Sequence, residues 1–187
     1  MNDDADRRRR SIRLPAYDYA QPGAYFVTVT AFGRRCLFGD VVRDAMQLSD
    51  IGRIATDEWH ETAALRPNIE LDAFVVMPNH VHAILWLLDD ALFASDEGTA
   101  RRAPTDREPA RFGKPVANSL STIIGAHKSA VTKRVRREIG PANLEIWQRG
   151  YYERVIRSEA ELLGIREYIT TNPRLWAEDE ENPWRNT

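Results

Sequence analysis

Residues Ile69–Leu88 read IELDAFVVMPNHVHAILWLL, and the fold is decided by how this stretch is divided. Pro78-Asn79 is a tight turn between two apolar, β-branched halves. A connection this short joins antiparallel strands, because a parallel pair needs a crossover of a dozen residues or more. Side chains alternate along a strand, so His80 and His82 share one face, while Val81, Ala83, Leu85 and Leu87 occupy the other. Two imidazoles side by side in a buried strand are costly unless their lone pairs are used, and a metal ion is the natural user. Taken alone, a His-x-His pair is weak evidence. Neighbouring histidines are more often satisfied by backbone and water.

Outward from the hairpin, Ala24–Phe32 (AYFVTVTAF) reads as a strand. Leu48, Ile51, Ala55, Trp59 and Thr62 recur at helical spacing until Pro67-Asn68. Asp89–Ala117 has no defensible period and reads as a flexible loop over 89–117. Leu120, Ile123, Ile124, His127, Val131 and Val135 then mark one face of a helix. Lys133, Arg136 and Arg137 lie opposite, with Lys128 at the border. Ile146–Ile156 reads as one or two strands. Ser158-Glu159-Ala160-Glu161 is a capping box that opens a last helix, and Asn172-Pro173 ends it. The predicted order is βαββαβ plus one helix. This is an α+β, ferredoxin-like antiparallel sheet with helices on one face and an additional C-terminal helix.

The 187 residues suit one domain: a basic arm over 1–14, the folded unit over 15–175 and an acidic tail over 176–187. No apolar run is long enough to span a membrane, and the charged N-terminus does not read as a secretory signal. Cys36 is the only cysteine, which excludes an internal disulfide or a cysteine-based zinc site. A cytoplasmic protein is expected. The net charge of −2 hides an asymmetry. Phe38–Glu97 carries 12 acidic and 3 basic residues, whereas Arg101–Arg137 carries 10 basic and 2 acidic. A segregated positive region suits a polyanion such as nucleic acid, although charge runs are commonly just solvated faces.

On the last helix Leu162, Ile165 and Ile169 form the core-facing stripe, and Tyr168 and Asn172 lie together on its flank. Tyr168 leans back over Gly164, which leaves that approach clear. Without the histidine pair, Tyr168 is simply a boundary residue and Asn172 a helix stop. With it, the chain resembles the single-tyrosine HUH transposases, and within them the REP-associated tyrosine transposases. The resemblance rests on Arg8-Arg9-Arg10-Ser11-Ile12-Arg13 with Tyr17-Asp18-Tyr19, on Gly23–Thr28 and on Met77–His82. It continues through Lys128–Val131, Trp147–Tyr152, and Arg166–Ile169 with Asn172-Pro173, covering about residues 7 to 175 in order.

That resemblance implies a metal-dependent endonuclease and strand transferase acting on hairpin-bearing single-stranded DNA. Tyr168 is the implied nucleophile, forming a 5′-phosphotyrosine and freeing a 3′-OH. His80, His82 and Asn172 are the implied ligands of a divalent metal, Mg²⁺ or Mn²⁺, although two imidazoles alone favour zinc or another transition metal. Arg8, Arg9, Arg10, Arg13, Lys128, Lys133, Arg134, Arg136 and Arg137 are the expected DNA-binding cations. The protein is expected to act as a monomer or a homodimer. The main rival is a non-catalytic module that grips a nucleic-acid hairpin; a small-substrate metallohydrolase is weaker, for want of a further histidine. His127 is expected to be a buried, satisfied core residue and His60 a surface one. Tyr151 and Tyr152 rank below Tyr168 as nucleophiles.

Overall fold

The computed structural model describes residues 19–89, 118–179 and 181–185. The arm with Arg8, Arg9, Arg10 and Arg13, and residues 90–117 of the expected loop, lie outside the described residues. Four strands form the main sheet: β1 (Gly23–Thr30), β4 (Ile69–Val76), β5 (His80–Leu87) and β6 (Tyr152–Ile156). Their order is β4-β5-β1-β6, with every neighbouring pair antiparallel. Helices α1 (Asp50–Ala64), α2 (Leu120–Glu138) and α3 (Glu159–Thr171) complete the expected βαββαβ-plus-helix arrangement. No described helix is long and apolar enough to cross a membrane.

A small hairpin, β2 (Gly39–Val42) and β3 (Ala45–Leu48), was not legible in the sequence. Its turn residues, Arg43 and Asp44, adopt φ of 51° and 63°. That left-handed pair makes a tight hairpin, but the usual marker is Asn-Gly or Asp-Gly, and neither is present here. Between Ile146 and Tyr151 only one strand-like bridge forms, Trp147 to Ala31, and Gly150 at φ 77° turns the chain before β6 begins. Asn172-Pro173 ends α3 as expected, yet the chain continues as a 3-10 helix over Asn172–Glu178. Proline is tolerated in a first helical turn, where its missing N–H has no partner to lose.

The sheet separates two interiors. On one face, Tyr25, Val27 and Val29 of β1 and Ala83, Leu85 and Leu87 of β5 pack against Trp59 of α1 and Leu120, Ile123 and Ile124 of α2. On the other, Phe26 and Ile84 pack against Leu162 and Ile169 of α3. α3 therefore covers the face that carries the histidine pair, and α2 covers the opposite one. Each helix is capped by a serine: Ser49, Ser119 and Ser158 accept the N–H groups of Gly52, Thr122 and Glu161. At α3 the reciprocal half of the capping box lands one residue early, on the Arg157 N–H, 2.9 Å from Glu161.

His127 lies in the α1–α2 interior, edge-on to Trp59 at 5.3 Å and 5.9 Å from Trp147. It is buried as expected, but neither ring nitrogen has a hydrogen-bond partner among the described residues. The Glu58 carbonyl lies nearby without normal hydrogen-bond geometry. Burial dominates and holds the imidazole down to about 4. The unfolded chain, protonating near 6.5, therefore binds more protons than the fold between pH 6.5 and 4, so stability falls as pH falls through that window. Thermal melts at pH 7 and pH 5 should differ by about 2 kcal/mol from this residue. His127→Phe should flatten the profile; an equally steep profile in the variant rejects this account.

Candidate active site

β1 and β5 build the site through their register. Thr28 is the cross-strand partner of His82, and Thr30 that of His80. Thr28 Oγ1 lies 2.9 Å from His82 Nδ1, and Asn79 Oδ1 lies 2.8 Å from His80 Nδ1. The Asn79 oxygen can only accept, so His80 donates from Nδ1 and carries its lone pair on Nε2, whereas the Thr28 hydroxyl can serve either tautomer of His82. The ring centroids are 4.4 Å apart. Burial, reinforced by the neighbouring His80, pushes the His82 imidazole well below its ordinary value, and the Asp179 carboxylate opposes this. The His82 ring is thus poised neutral.

α3 brings the tyrosine to them. The Tyr168 hydroxyl lies within hydrogen-bond distance of His82 Nε2, at 3.1 Å, with the ring centroids 5.1 Å apart. Tyr168 is 42% exposed, so the residue remains accessible from solvent. Asn172 follows one helical turn later and is buried. Beyond it, the Trp176 ring sits 6.1 Å from that of His80. Asn172 therefore occupies the turn between a contact to His82 and a contact to His80. Its Oδ1 is buried with no hydrogen-bond partner among the described residues. Two adjacent imidazoles and an unsatisfied carboxamide oxygen are a donor set that fits a divalent metal. Among the described residues no cluster of three His, Cys, Asp or Glu side chains offers an alternative.

Several supports escaped the sequence reading. β4 bulges between Leu71 and Phe74 in its pairing with β5. A bulge re-aims side chains, and here Asp72 reaches α3. Its carboxylate accepts Arg166 Nε at 2.8 Å and Nη2 at 2.5 Å, and also Trp86 Nε1 at 3.0 Å and the Ala73 N–H at 2.7 Å. The Arg166 hydrogen bond, ahead of the others, holds the Asp72 carboxyl down to about 2. Arg166 precedes Tyr168 by two residues, so this fork ties the tyrosine helix to the sheet. The acidic tail also folds back. Glu181 is buried, pairs with Arg34 at 3.4 Å, and its carbonyl accepts from Asn79 Nδ2 at 2.7 Å. Asn79, which orients His80, is thereby held from its far side.

The structure brings His80, His82, Tyr168 and Asn172 together but does not bring the α2 cations to them. Arg134 is engaged by Asp57, Glu58 and Glu138, bracing α1 against α2. Arg137 pairs with Glu138 at 2.6 Å. Lys128 donates to the carbonyls of Gln148 and Gly150 at 2.6 and 2.9 Å, and burial lowers its ammonium to about 8. Lys133 and Arg136 are exposed on the same helix. Tyr151 precedes β6 and Tyr152 opens it. A Cβ on Gly164 would meet nothing within 4 Å, so that glycine is not needed for the approach of Tyr168.

No profile of a known protein family matches the chain. A protein of Haemophilus influenzae, itself uncharacterised, is 34% identical over 172 residues, covering 92% of each chain. The chain belongs to one family with it. Among solved structures, a REP-associated tyrosine transposase bound to a REP hairpin superposes with a TM-score of 0.53 at 21% identity. That match covers 84% of this chain and 68% of the other. A structure from Deinococcus radiodurans reaches a TM-score of only 0.41 at 19% identity, over 80% of this chain and 90% of the other. The fold is thus that of the REP-associated tyrosine transposases.

Two substitutions separate support from accident. Asp72→Asn should cost about 1 kcal/mol in urea unfolding, since the half-exposed Arg166 is screened by solvent. The wild-type advantage should be full above about pH 4 and lost as pH falls toward 2, because the folded carboxyl titrates below the unfolded one. Gly164→Ala, on the exposed helix face, should stabilise by up to about 1 kcal/mol; a destabilised variant contradicts the open space around it.

Proposed function

We propose that this protein cleaves and rejoins single-stranded, hairpin-bearing DNA through a covalent bond to Tyr168. The observation that carries the reading is the 3.1 Å contact between the Tyr168 hydroxyl and His82 Nε2, beside the second histidine of the pair, His80. The transposase fold supports it, and a protein of that fold was solved bound to a REP hairpin.

Tyr168 Oη attacks phosphorus, the bond to the 3′ oxygen breaks, and the products are a 5′-phosphotyrosine and a free 3′-OH. The phosphodiester energy is conserved in the new ester, so rejoining needs only the return attack of a 3′-OH. A phenol with a pKa near 10 is a weak nucleophile at neutral pH. His80, His82 and Asn172 would hold a divalent ion such as Mg²⁺ or Mn²⁺, which would supply positive charge to offset that of the scissile phosphate. Thr28 and Asn79 hold the two imidazoles so that both Nε2 atoms face the reaction. Asp72 and Arg166 fix the helix that carries Tyr168, which limits its swing relative to the sheet. The partial exposure of Tyr168 gives its proton a path to water. Lys133 and Arg136, on the far face of the sheet, are suited to backbone phosphates of a DNA arm rather than to the scissile one.

The test is a panel of hairpin-bearing single-stranded oligonucleotides with Mg²⁺ or Mn²⁺, resolved on a denaturing gel. A metal-dependent covalent protein–DNA band is expected, reduced at least about 10³-fold in Tyr168→Phe. Asn172→Ala should raise the metal concentration needed by roughly 10- to 100-fold. Hairpin binding that is indifferent to metal and never yields a band favours a non-catalytic binding module. A band that persists in Tyr168→Phe moves the nucleophile elsewhere.

A further inference from the structure

A cavity of about 330 Å³ opens directly beside the tyrosine, lined by Phe26, Thr28, Tyr152, Arg154, Ile165 and Tyr168. Strand register explains the lining. Phe26 pairs with Arg154 and Thr28 with Tyr152 across β1 and β6, so the four form a square on the α3 face of the sheet. Ile165 and Tyr168 close it from above, one helical turn apart on α3. Phe26 is the floor, its ring stacked on that of His82 at 5.3 Å. The Tyr152 and Tyr168 rings each stand 6.3 Å from it, at 69° and 78° to its plane. Arg154 at the rim is 58% exposed and anchored by Glu161 at 2.7 Å. A guanidinium has five N–H donors, so one carboxylate does not exhaust it.

We propose that this cavity is a subsite for one unstacked nucleobase of the DNA strand, that of the nucleotide next to the phosphate attacked by Tyr168. The assignment to that nucleotide rests on Tyr168 being the nucleophile. Three features select this occupant. The volume lies at the lower end of the roughly 300–1,000 Å³ range of small-molecule sites, right for a single nucleotide and too small for a paired step. The walls offer three aromatic rings, and aromatic stacking is how single-stranded bases are held without regard to pairing. The Tyr168 ring is itself one wall of the cavity, so a base seated there holds its nucleotide beside the Tyr168 oxygen. Arg154 is the cation at the mouth, placed for that nucleotide's phosphate. The subsite would register the strand on the nucleophile, and Tyr152 and Arg154 are positioning residues in it.

The experiment uses the full-length Tyr168→Phe protein, which retains the ring, and hairpin-bearing single-stranded oligonucleotides with 2-aminopurine placed at one position at a time. Quenching confined to one position is expected, lost in Tyr152→Ala and retained in Tyr152→Phe. An abasic residue at that position should weaken binding about 5- to 100-fold. The same abasic change should cost less than about twofold in Tyr152→Ala. Arg154→Gln, a surface change, should weaken binding without moving the quenched position, which serves as a check should Tyr152→Ala fold poorly. Quenching spread evenly along the strand, or unchanged in Tyr152→Ala, overturns the subsite. The covalent band of the wild-type protein reads the other question independently. A band without a localised quench leaves the cleavage reading standing and removes the subsite. A localised quench without a band keeps a base-binding pocket and removes its link to cleavage.

Discussion

The register between β1 and β5 is the constraint on which everything else rests. Thr28 faces His82 and Thr30 faces His80 only in this pairing. Side chains alternate with period two, so a slip of one residue would turn both histidines toward α1 and α2 and expose Val81 and Ala83 to α3. The apolar set Val27, Val29, Ala83, Leu85 and Leu87 opposes that slip, because all five are buried against the two-helix layer. Hydrophobic burial on one face thus sets the geometry of the polar site on the other. The hydrogen bond between Thr28 and His82 is a consequence of that pairing and then locks the ring.

A second layer of control comes from elements that merely cover the site. α3 has a narrow apolar stripe, Leu162 and Ile169 with Ile165, and such a stripe permits rotation about the helix axis. The Asp72–Arg166 fork restricts that rotation at a point half a turn from Tyr168. Asp72 can do this because the β4 bulge breaks the alternation that would otherwise dictate its direction. The tail acts at the other end of the histidine pair, through Glu181 and Asn79. The nucleophile and the imidazoles are therefore held from separate parts of the chain, and the aromatic cavity opens between α3 and β6.

Much of this is legible in the sequence. The Pro78-Asn79 turn, the alternation around His80 and His82 and the Ser158 cap each depend on neighbours in sequence, and each formed where expected, with small shifts in bounds. The β2–β3 hairpin was not legible because Arg43 and Asp44 take a left-handed turn without the residues that normally announce one. His127 was legible as buried, but its lack of a hydrogen bond was not, since that depends on which backbone groups α1 presents to it. The cations of α2 were visible as a charged face, and the sequence cannot show that Arg134 is occupied by Asp57 and Glu58 from another helix.

By itself the sequence determined the order of the four main-sheet strands and the three α-helices, the shared face of the two histidines, and the pairing of Tyr168 with Asn172 on one helix flank. These follow from local periodicity and capping, which act over four residues or fewer. Only the tertiary structure decided that α3 lies across the histidine face, that Asp72 holds it there, that Glu181 returns to Asn79, and that Phe26, Tyr152 and Tyr168 enclose a cavity. Those contacts join residues tens to more than a hundred positions apart. They are set by strand register and by burial on both sheet faces, which no local pattern records.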